Sequence, residues 1–421
     1  MGRFTLLPAQ GRVMLEGQPV RLSGRAVDLL HTLVAHRGEV VAKDELLRSV
    51  WPGLVVEENN LHVQVSALRK LLGPGAIVTV AGRGYTLNPG LDVRDEPDRT
   101  SVNAGDRTEV LAPMRGRGNE AATLRKLVRE HRIVTVAGPC GVGKSRLVRE
   151  VLADHDDGPV RCIELANEGL GELRQAADAV QAQAQSQDRS AIVVIENAEQ
   201  SIDDAGELAD LLASAPGVRL VCTSQAPLNA RGEHVLRLAP LPVPTPHAGS
   251  GMTPALEVML DSVATLQPGF SLNDENSRDA AAICRHLDGL PLAITLAAGR
   301  IPLLGFAGVR RRMADRFHLL RGGPRGTAPR HQSLEAAMDW SWRFLSARER
   351  DALAALSRLK GRFRMHAATK ALLQVGRDEW DAMQLLGALV DKSVVLADSP
   401  GQSSFRVLES MRLFASSRPP G

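Results

Sequence analysis

Gly138 to Ser145 reads GPCGVGKS, a G-x-x-x-x-G-K-S run between the apolar pentapeptide Ile133–Ala137 and the helically spaced SRLVREVLA. No other stretch constrains the fold as tightly. Glycines at 138, 141 and 143 let the backbone turn sharply enough for its N–H groups to ring an anion at the positive end of the following helix. Such a loop needs a strand to deliver it and a helix to leave it. The surrounding sequence supplies the remaining layer, because VRCIEL, AIVVIEN and RLVCTS are apolar runs separated by helical ones. That alternation predicts a parallel sheet covered by helices. In this frame Lys144 reaches the outer phosphates of a nucleotide and Ser145 holds a Mg²⁺ ion. Glu196, at the end of AIVVIEN, is the expected acidic partner of the ion. Glu196 and Glu199 are the candidate catalytic carboxylates.

The first ninety residues predict a separate unit. Leu61, Val65, Leu68 and Leu72 recur four, three and four residues apart, as one buried stripe of a helix that Gly73 and Pro74 terminate. Its opposite face carries Asn60, Val63, Gln64, Ala67 and Lys70, which suit base edges and phosphates in a major groove. GRAVDLLHTLVAHRG and AKDELLRSVW supply two earlier helices. VTVAGRGYTL closes the unit as a hairpin, with Arg83 at its glycine-flanked tip. This order resembles the OmpR/PhoB-type winged-helix DNA-binding domain over nearly all of residues 1–88. The resemblance implies that the third helix enters the major groove while the wing touches the backbone or the neighbouring minor groove. Asn59, Asn60, Val63, Gln64, Ala67 and Lys70 then face double-stranded DNA, and Arg83 sits in the wing. The family often carries Arg where this chain has Ser66 and Ala67, which leaves more of the affinity to phosphate contacts. The sequence begins at the first strand of this domain, so control through an attached receiver is not expected.

From about Met114 onward the chain resembles the STAND class of P-loop switch ATPases, specifically the NB-ARC-like ATPases fused to bacterial winged-helix regulators. RGRGNEAATL is similar to the family's opening segment, which implies that Gly116 and Arg117 lie near the adenine. GLPLAITLAAGRI is similar to its GxP motif, which implies that Pro291 packs against the base. RHQSLEAAMDWSWRFLSARERDAL and LLGALVDKSVV resemble the helical and winged-helix-like segments that follow. Two positions depart from the family. Glu196 replaces an aspartate and is one methylene longer, and Gln225 replaces the arginine of a TSR pattern that senses the outer phosphate. A neutral amide cannot neutralise transition-state charge as a guanidinium does. Both departures weaken hydrolysis more than binding, because the loop, Lys144 and Ser145 are intact.

The expected organisation is multidomain, α/β and α. A winged helix occupies residues 1–88, a flexible polar linker 89–112, a P-loop NTPase parallel sheet 113–245, a helical subdomain 246–325 and a helical, winged-helix-like subdomain 326–421. No 20–50-residue repeat is present. The chain stops where relatives commonly continue into helical-repeat sensors, so the usual receiver of a ligand is expected to be missing. Residues 1–90 hold 10 Lys+Arg against 7 Asp+Glu, a small basic excess in a chain of formal net charge +3. GLPLAITLAAG is about half the length that crosses a bilayer, and no secretory pattern opens the chain, so a cytoplasmic protein without a membrane partner is expected. The four cysteines, Cys140, Cys162, Cys222 and Cys284, form no CxxC pair and read as reduced thiols, with Cys140 a small filler in the loop. Trp340 and Trp342 read as core anchors, and GVRRRMADR as a solvated helix face.

The function expected is a DNA-binding transcription regulator whose ATPase module holds ATP or ADP with Mg²⁺ as a conformational switch, with little or no hydrolysis. Its partners would be promoter DNA, nucleotide, further copies of the chain and RNA polymerase. Two alternatives stay open: an active ATPase remodelling a DNA-bound complex, and a DNA-binding protein whose ATPase fold survives only as a scaffold.

Overall fold

A computed structural model describes residues 4–7, 12–15, 18–20, 24–35, 40–50, 58–73, 75–80, 83–88, 93–95, 114–153, 155, 158–164, 170–185, 190–199, 208, 212–245, 251–323, 329–397 and 404–418. The chain divides into two compact units, Met1–Arg99 and Thr100–Gly421.

In the first unit, strands β1 (Phe4–Leu7), β2 (Arg12–Leu15) and β3 (Gln18–Val20) precede helices α1 (Gly24–Ala35), α2 (Lys43–Val50) and α3 (Glu58–Leu72). A hairpin of β4 (Ile77–Val80) and β5 (Gly84–Leu87) follows, then β6 (Val93–Asp95). The stripe read from the sequence is the buried one. Leu61, Val65, Leu68 and Leu72 share a core with Leu29, Leu30 and Leu33 of α1 and Leu46 of α2. Gly73, at φ 103°, leaves α3 through the left-handed region that a β-carbon disfavours. Pro74, the second expected stop signal, lies outside the described residues. The boundary expected at residue 88 needs correcting. Val93–Asp95, assigned to the linker, pairs parallel with Phe4–Leu6 and completes a sheet of order β3-β2-β1-β6. Its three residues, Val-Arg-Asp, are too short for a period to stand out. Residues 89–92 and 96–112, the rest of the expected linker, are outside the described residues.

The second unit opens with α4 (Gly118–Glu130), followed by β7 (Ile133–Ala137), α5 (Lys144–Ala153), β8 (Val160–Glu164), α6 (Leu170–Gln185), β9 (Ala191–Glu196), β10 (Val218–Ser224) and β11 (Glu233–Arg237). The five strands β7–β11 form an all-parallel sheet of order β11-β7-β10-β9-β8. The apolar runs expected to be strands account for four of them. The fifth, Glu233–Arg237, is exposed or half-buried throughout at the sheet edge, and its polar residues hide it from an apolar-run reading. Because β7 neighbours β10 and not β8, the chain reverses direction across the sheet beside β7. A ligand crevice in such a fold forms at the carboxyl ends of the strands, at that point.

Four helices come next: α7 (Pro254–Leu266), α8 (Asp274–His286), α9 (Pro291–Ala298) and α10 (Ile301–Arg311), with the short α11 (Arg316–Leu319) after them. Asn273 and Asn276 form a reciprocal cap at the start of α8, satisfying two donors that a helix start leaves unpaired. The C-terminal segment holds α12 (Leu334–Arg343), α13 (Ala347–Leu356), β12 (Arg362–Arg364), α14 (Met365–Leu372), α15 (Glu379–Asp391), β13 (Val395–Ala397), β14 (Ser404–Val407) and α16 (Glu409–Ser416). Its small antiparallel sheet, β12-β14-β13, gives it the winged-helix-like form. One apolar core runs through sheet, helices and C-terminal segment, from Val134 and Leu147 through Ile294 and Leu296 to Trp342, Leu386 and Phe414. The three subdomains expected in this unit therefore share a core. In GVRRRMADR, Arg316 departs from the solvated face expected of it. It is buried, with its guanidinium donating to the carbonyls of His286 and Met313.

Among the described residues no single helix is long and apolar enough to cross a membrane, and the apolar α9–α10 pair is bent by 119°. All four cysteines are free, and burial pushes their thiols up, to about 11 at Cys162 and about 12 at Cys222 and Cys284.

Candidate nucleotide site and DNA interface

The glycine loop leaves β7 and is braced on every side. Its first amide, Gly138 N–H, donates to Ser224 O at the end of β10, 3.2 Å away. Gly141 and Gly143 take φ of 76° and 101°, as expected of a loop whose amides turn inward. A β-carbon at Gly141 would lie 2.7 Å from Leu292 Cβ, and one at Gly138 2.6 Å from Leu238 O. Glycine is required there by contact as well as by conformation. Lys144 opens α5, and its ammonium donates to the carbonyls of Gly138 (2.8 Å) and Pro139 (3.1 Å), so it lies against the rim of its own loop. Burial lowers its pKa, with the Arg330 charge adding to that shift and Glu199 and Cys140 opposing it. Ser145 follows in the same first turn, half-buried. The cradle, its lysine and this hydroxyl fit a nucleotide's phosphates. The backbone amides would ring the charge, Lys144 would neutralise it and Ser145 would meet a metal ion.

The helix turn that begins at Pro291 meets this loop through Leu292. Proline opens α9 at no hydrogen-bonding cost, since a first-turn N–H has no helical partner. The next donor, Leu292 N–H, is satisfied by Gly141 O at 3.1 Å, so the GLP turn holds the cradle directly. Arg117 holds it from another side. The resemblance placed this residue near adenine, but its buried guanidinium spans the carbonyls of Val142 (3.4 Å) and Ala239 (2.6 Å) and the Glu120 carboxylate (2.8 Å). It thus braces the loop and the chain after β11.

The acidic side differs from the sequence reading. Glu196 ends β9 as expected, but its Oε1 accepts from Arg149 of α5 at 2.8 and 3.2 Å. An ion pair holds the carboxylate assigned to Mg²⁺. Asn197 then adopts a left-handed φ of 59°, with its N–H donating to Thr223 Oγ1. The turn carries Glu199 inward, where it is 5% exposed. It accepts from Gln225 N–H (3.3 Å), Gln225 Nε2 (3.3 Å) and Trp340 Nε1 (3.1 Å). Gln225, 1% exposed, has its remaining groups met from the C-terminal segment, Ser341 Oγ donating to its side-chain oxygen and Ser393 Oγ to its carbonyl, each at 2.6 Å. The position assigned to phosphate sensing is therefore tied into a buried polar junction between sheet and C-terminal segment. Trp340 is more than a core anchor, since its indole N–H meets Glu199.

Arg149, Ser341, Ser393 and Arg330 were not singled out in the sequence. Nothing in a linear reading marks them, because each matters through a partner at least 47 positions away or through a ring it stacks on. Arg330, in the single turn Pro329–His331, holds its guanidinium 5.2 Å from the Trp340 ring centroid.

In the first unit, Asn60, Val63 and Lys70 are exposed on α3, Gln64 and Ala67 are half-buried beside them, and Arg83 is exposed at the turn of the hairpin. The side chain of Asn59 lies outside the described residues. Arg69, also on α3, donates to Ile77 O (2.8 and 3.0 Å) and Thr79 Oγ1 (2.7 Å), fixing the hairpin to the helix. Tyr85, the only tyrosine of the chain, is buried and bonds His62 Nδ1 at 2.9 Å.

An OmpR/PhoB-type winged-helix fold is thus followed by a P-loop ATPase-type α/β fold with helical and winged-helix-like extensions, and this combination defines the class of the chain. Residues 17–87 match the family described as "Transcriptional regulatory protein, C terminal". A Mycobacterium tuberculosis protein described as an HTH-type transcriptional regulator, Rv0890c, is 31% identical over 309 residues, covering 69% of this chain and 34% of that protein. The chain spans about a third of the length of the curated relatives it first matches. The DNA-binding domain of Escherichia coli CadC is 32% identical over 21% of this chain and 87% of that one, at a TM-score of 0.20. A Signal Transduction ATPase with Numerous Domains from Pyrococcus horikoshii, PH0952, aligns at 14% identity over 76% of this chain and 43% of that one, at a TM-score of 0.29.

Proposed function

We propose that this chain is a DNA-binding transcription regulator in which ATP or ADP, held by the glycine loop, sets the affinity for promoter DNA. The observation that carries the reading is the joining of two features in one chain. One is an exposed polar face of α3 beside the Arg83 hairpin. The other is a cradle closed by Lys144 and gripped by Leu292. Asn59, Asn60, Val63, Gln64, Ala67 and Lys70 meet the major groove, with Arg83 on the backbone or in the minor groove. Gly138, Gly141, Gly143, Lys144 and Ser145 hold the phosphates, and Pro291 flanks the base. Arg117 serves this site by bracing the loop.

Turnover is slow or absent in this reading. Glu196 must leave Arg149 before it can meet Mg²⁺ beside Ser145, and Glu199 and Gln225 are occupied by the junction. Phosphate charge at Lys144 instead biases the balance across the junction to the C-terminal segment. A ligand moves such a balance only by its differential affinity for the two states. One winged helix covers a short half-site, so self-association on repeated sites supplies specificity, and RNA polymerase is the partner of the promoter-bound form.

The test is DNA binding by the intact chain and by Lys144→Ala, with no nucleotide, ADP or ATP, at fixed salt because phosphate contacts make affinity salt-dependent. The wild-type curves should separate by nucleotide and the Lys144→Ala curves should coincide. Identical wild-type curves in all three conditions would refute the switch.

A further inference from the structure

Residues 352–377 of the C-terminal segment contain Arg358, Lys360, Arg362, Arg364, Lys370 and Arg377 and no aspartate or glutamate. All six cations are exposed, and the fold puts them there. Phe363 is buried, with its ring stacked 6.3 Å from that of Phe405, so the alternation of a strand turns its neighbours on β12 outward. In α14 the buried residues are Ala368, Thr369 and Leu372, which leaves His366 and Lys370, one turn apart, on the open side. Arg358 Nη1 donates to Gln374 Oε1 at 3.2 Å and fastens the turn before β12 to the end of α14. Lys360 in that turn and Lys370, four residues before Gln374, are thereby brought to the same side. Acids flanking the stretch are engaged elsewhere. Glu349 pairs with Lys392 at 2.7 Å, Asp381 pairs with Arg348 at 2.6 Å, and Asp378 caps α15 by accepting the Asp381 N–H at 2.8 Å. Among the described residues, Lys360, Arg364 and Lys370 enter no ion pair.

Cations set along a turn, a strand and a helix suit a polyanion whose charge repeats along a line. Duplex DNA is such a polyanion, with one phosphate per ~3.4 Å of axis on each strand, and phosphate contacts need no base readout. The first unit gives a second reason for DNA. Joined to it in one chain, the C-terminal segment meets DNA at a raised local concentration. We propose that the turn before β12, β12 and α14 form a second DNA-contacting surface, where Lys360, Arg364 and Lys370 hold the phosphate backbone without reading sequence. The choice of DNA as the polyanion rests on the DNA reading above.

The test is fluorescence anisotropy of a labelled mixed-sequence duplex titrated with the full chain, from about 50 to 200 mM salt. Lys360→Ala/Arg364→Ala/Lys370→Ala should weaken binding about tenfold or more at low salt and reduce the salt slope by about two to three. Arg125→Ala/Lys126→Ala/Arg129→Ala removes the same charge from the exposed side of α4. It should bind within about twofold of wild type. An unchanged slope in the first triple, or an equal loss in the second, would overturn the proposal. So would polyglutamate binding wild type as tightly as the duplex at equal charge, which would make the partner an acidic protein. Arg83→Ala reports separately on the first unit. If it binds as wild type does while the first triple is weakened, the winged-helix reading falls and the second surface stands. A wild-type chain that binds no duplex would overturn both. If the first triple lowers Tm, Lys360→Gln/Arg364→Gln/Lys370→Gln is titrated in its place, with the same loss expected.

Discussion

Asp288, between α8 and α9, combines a left-handed φ of 55° with a half-buried position, and its carboxylate accepts the Ser410 N–H at 3.4 Å. Burial pushes its pKa up to about 6, opposed by Arg406, the backbone N–H groups of Ser410 and Glu409, and Arg316. A carboxyl whose folded pKa lies above its unfolded value stabilises the fold while protonated, and that contribution is lost as pH rises from about 4 through about 6. Asp288→Asn keeps the acceptor and tolerates the left-handed backbone. Its stability advantage over wild type should therefore grow between pH 5 and pH 8, to a limit of about 3 kcal/mol, and its Tm should rise relative to wild type over the same range. Melting curves of both proteins across that range check it, and a difference independent of pH would refute the assignment. The same turn chemistry decides the acidic side of the candidate site. Left-handed Asn197 is what sends Glu199 inward while Glu196 stays with Arg149.

The hairpin of the first unit shows what an element needs to present a side chain. Arg69 and Tyr85 fix it to α3, and Gly84 fits where a β-carbon would lie 1.9 Å from Val41 O. Gly84→Ala should unseat the hairpin and lower the Tm of the first unit. Arg83→Ala should leave Tm unchanged but weaken DNA binding about equally across sequences, reducing the salt slope by about one. Thermal melts together with salt-dependent binding curves separate the two effects. In α3 itself, Leu68→Ala removes a fully buried side chain and should cost about 2–5 kcal/mol, measured by denaturant unfolding.

In the second unit, the junction of Glu199, Gln225, Trp340, Ser341 and Ser393 is a polar seam set beside the apolar core. Removing one partner leaves a buried polar group unsatisfied, which costs more than the bond contributes. Ser341→Ala should destabilise the unit by about 1–3 kcal/mol and narrow the difference between ADP and ATP in DNA binding. A double-mutant cycle with Gln225→Ala measures the pair directly, and additive losses would show that the two do not act together.

Much of this molecule is legible in its residues because the relevant signals are local. A stripe at spacings of four, three and four defines the buried face of α3, and three glycines before a lysine define the cradle. Four apolar runs mark four of the five parallel strands. The edge strand Glu233–Arg237 and the short Val93–Asp95 were not legible, since each is held by its neighbours and not by its own pattern. The candidate site divides the same way. Loop, lysine and serine are adjacent in the chain, so the sequence alone determined the glycine loop and the lysine and serine that follow it. Which carboxylate pairs with Arg149, where Glu199 turns, what Gln225 bonds and which residue stacks above Trp340 are matters of contact between distant segments. Only the tertiary structure decided them, because a hydrogen bond or ion pair depends on separations of a few ångströms that the order of residues does not encode.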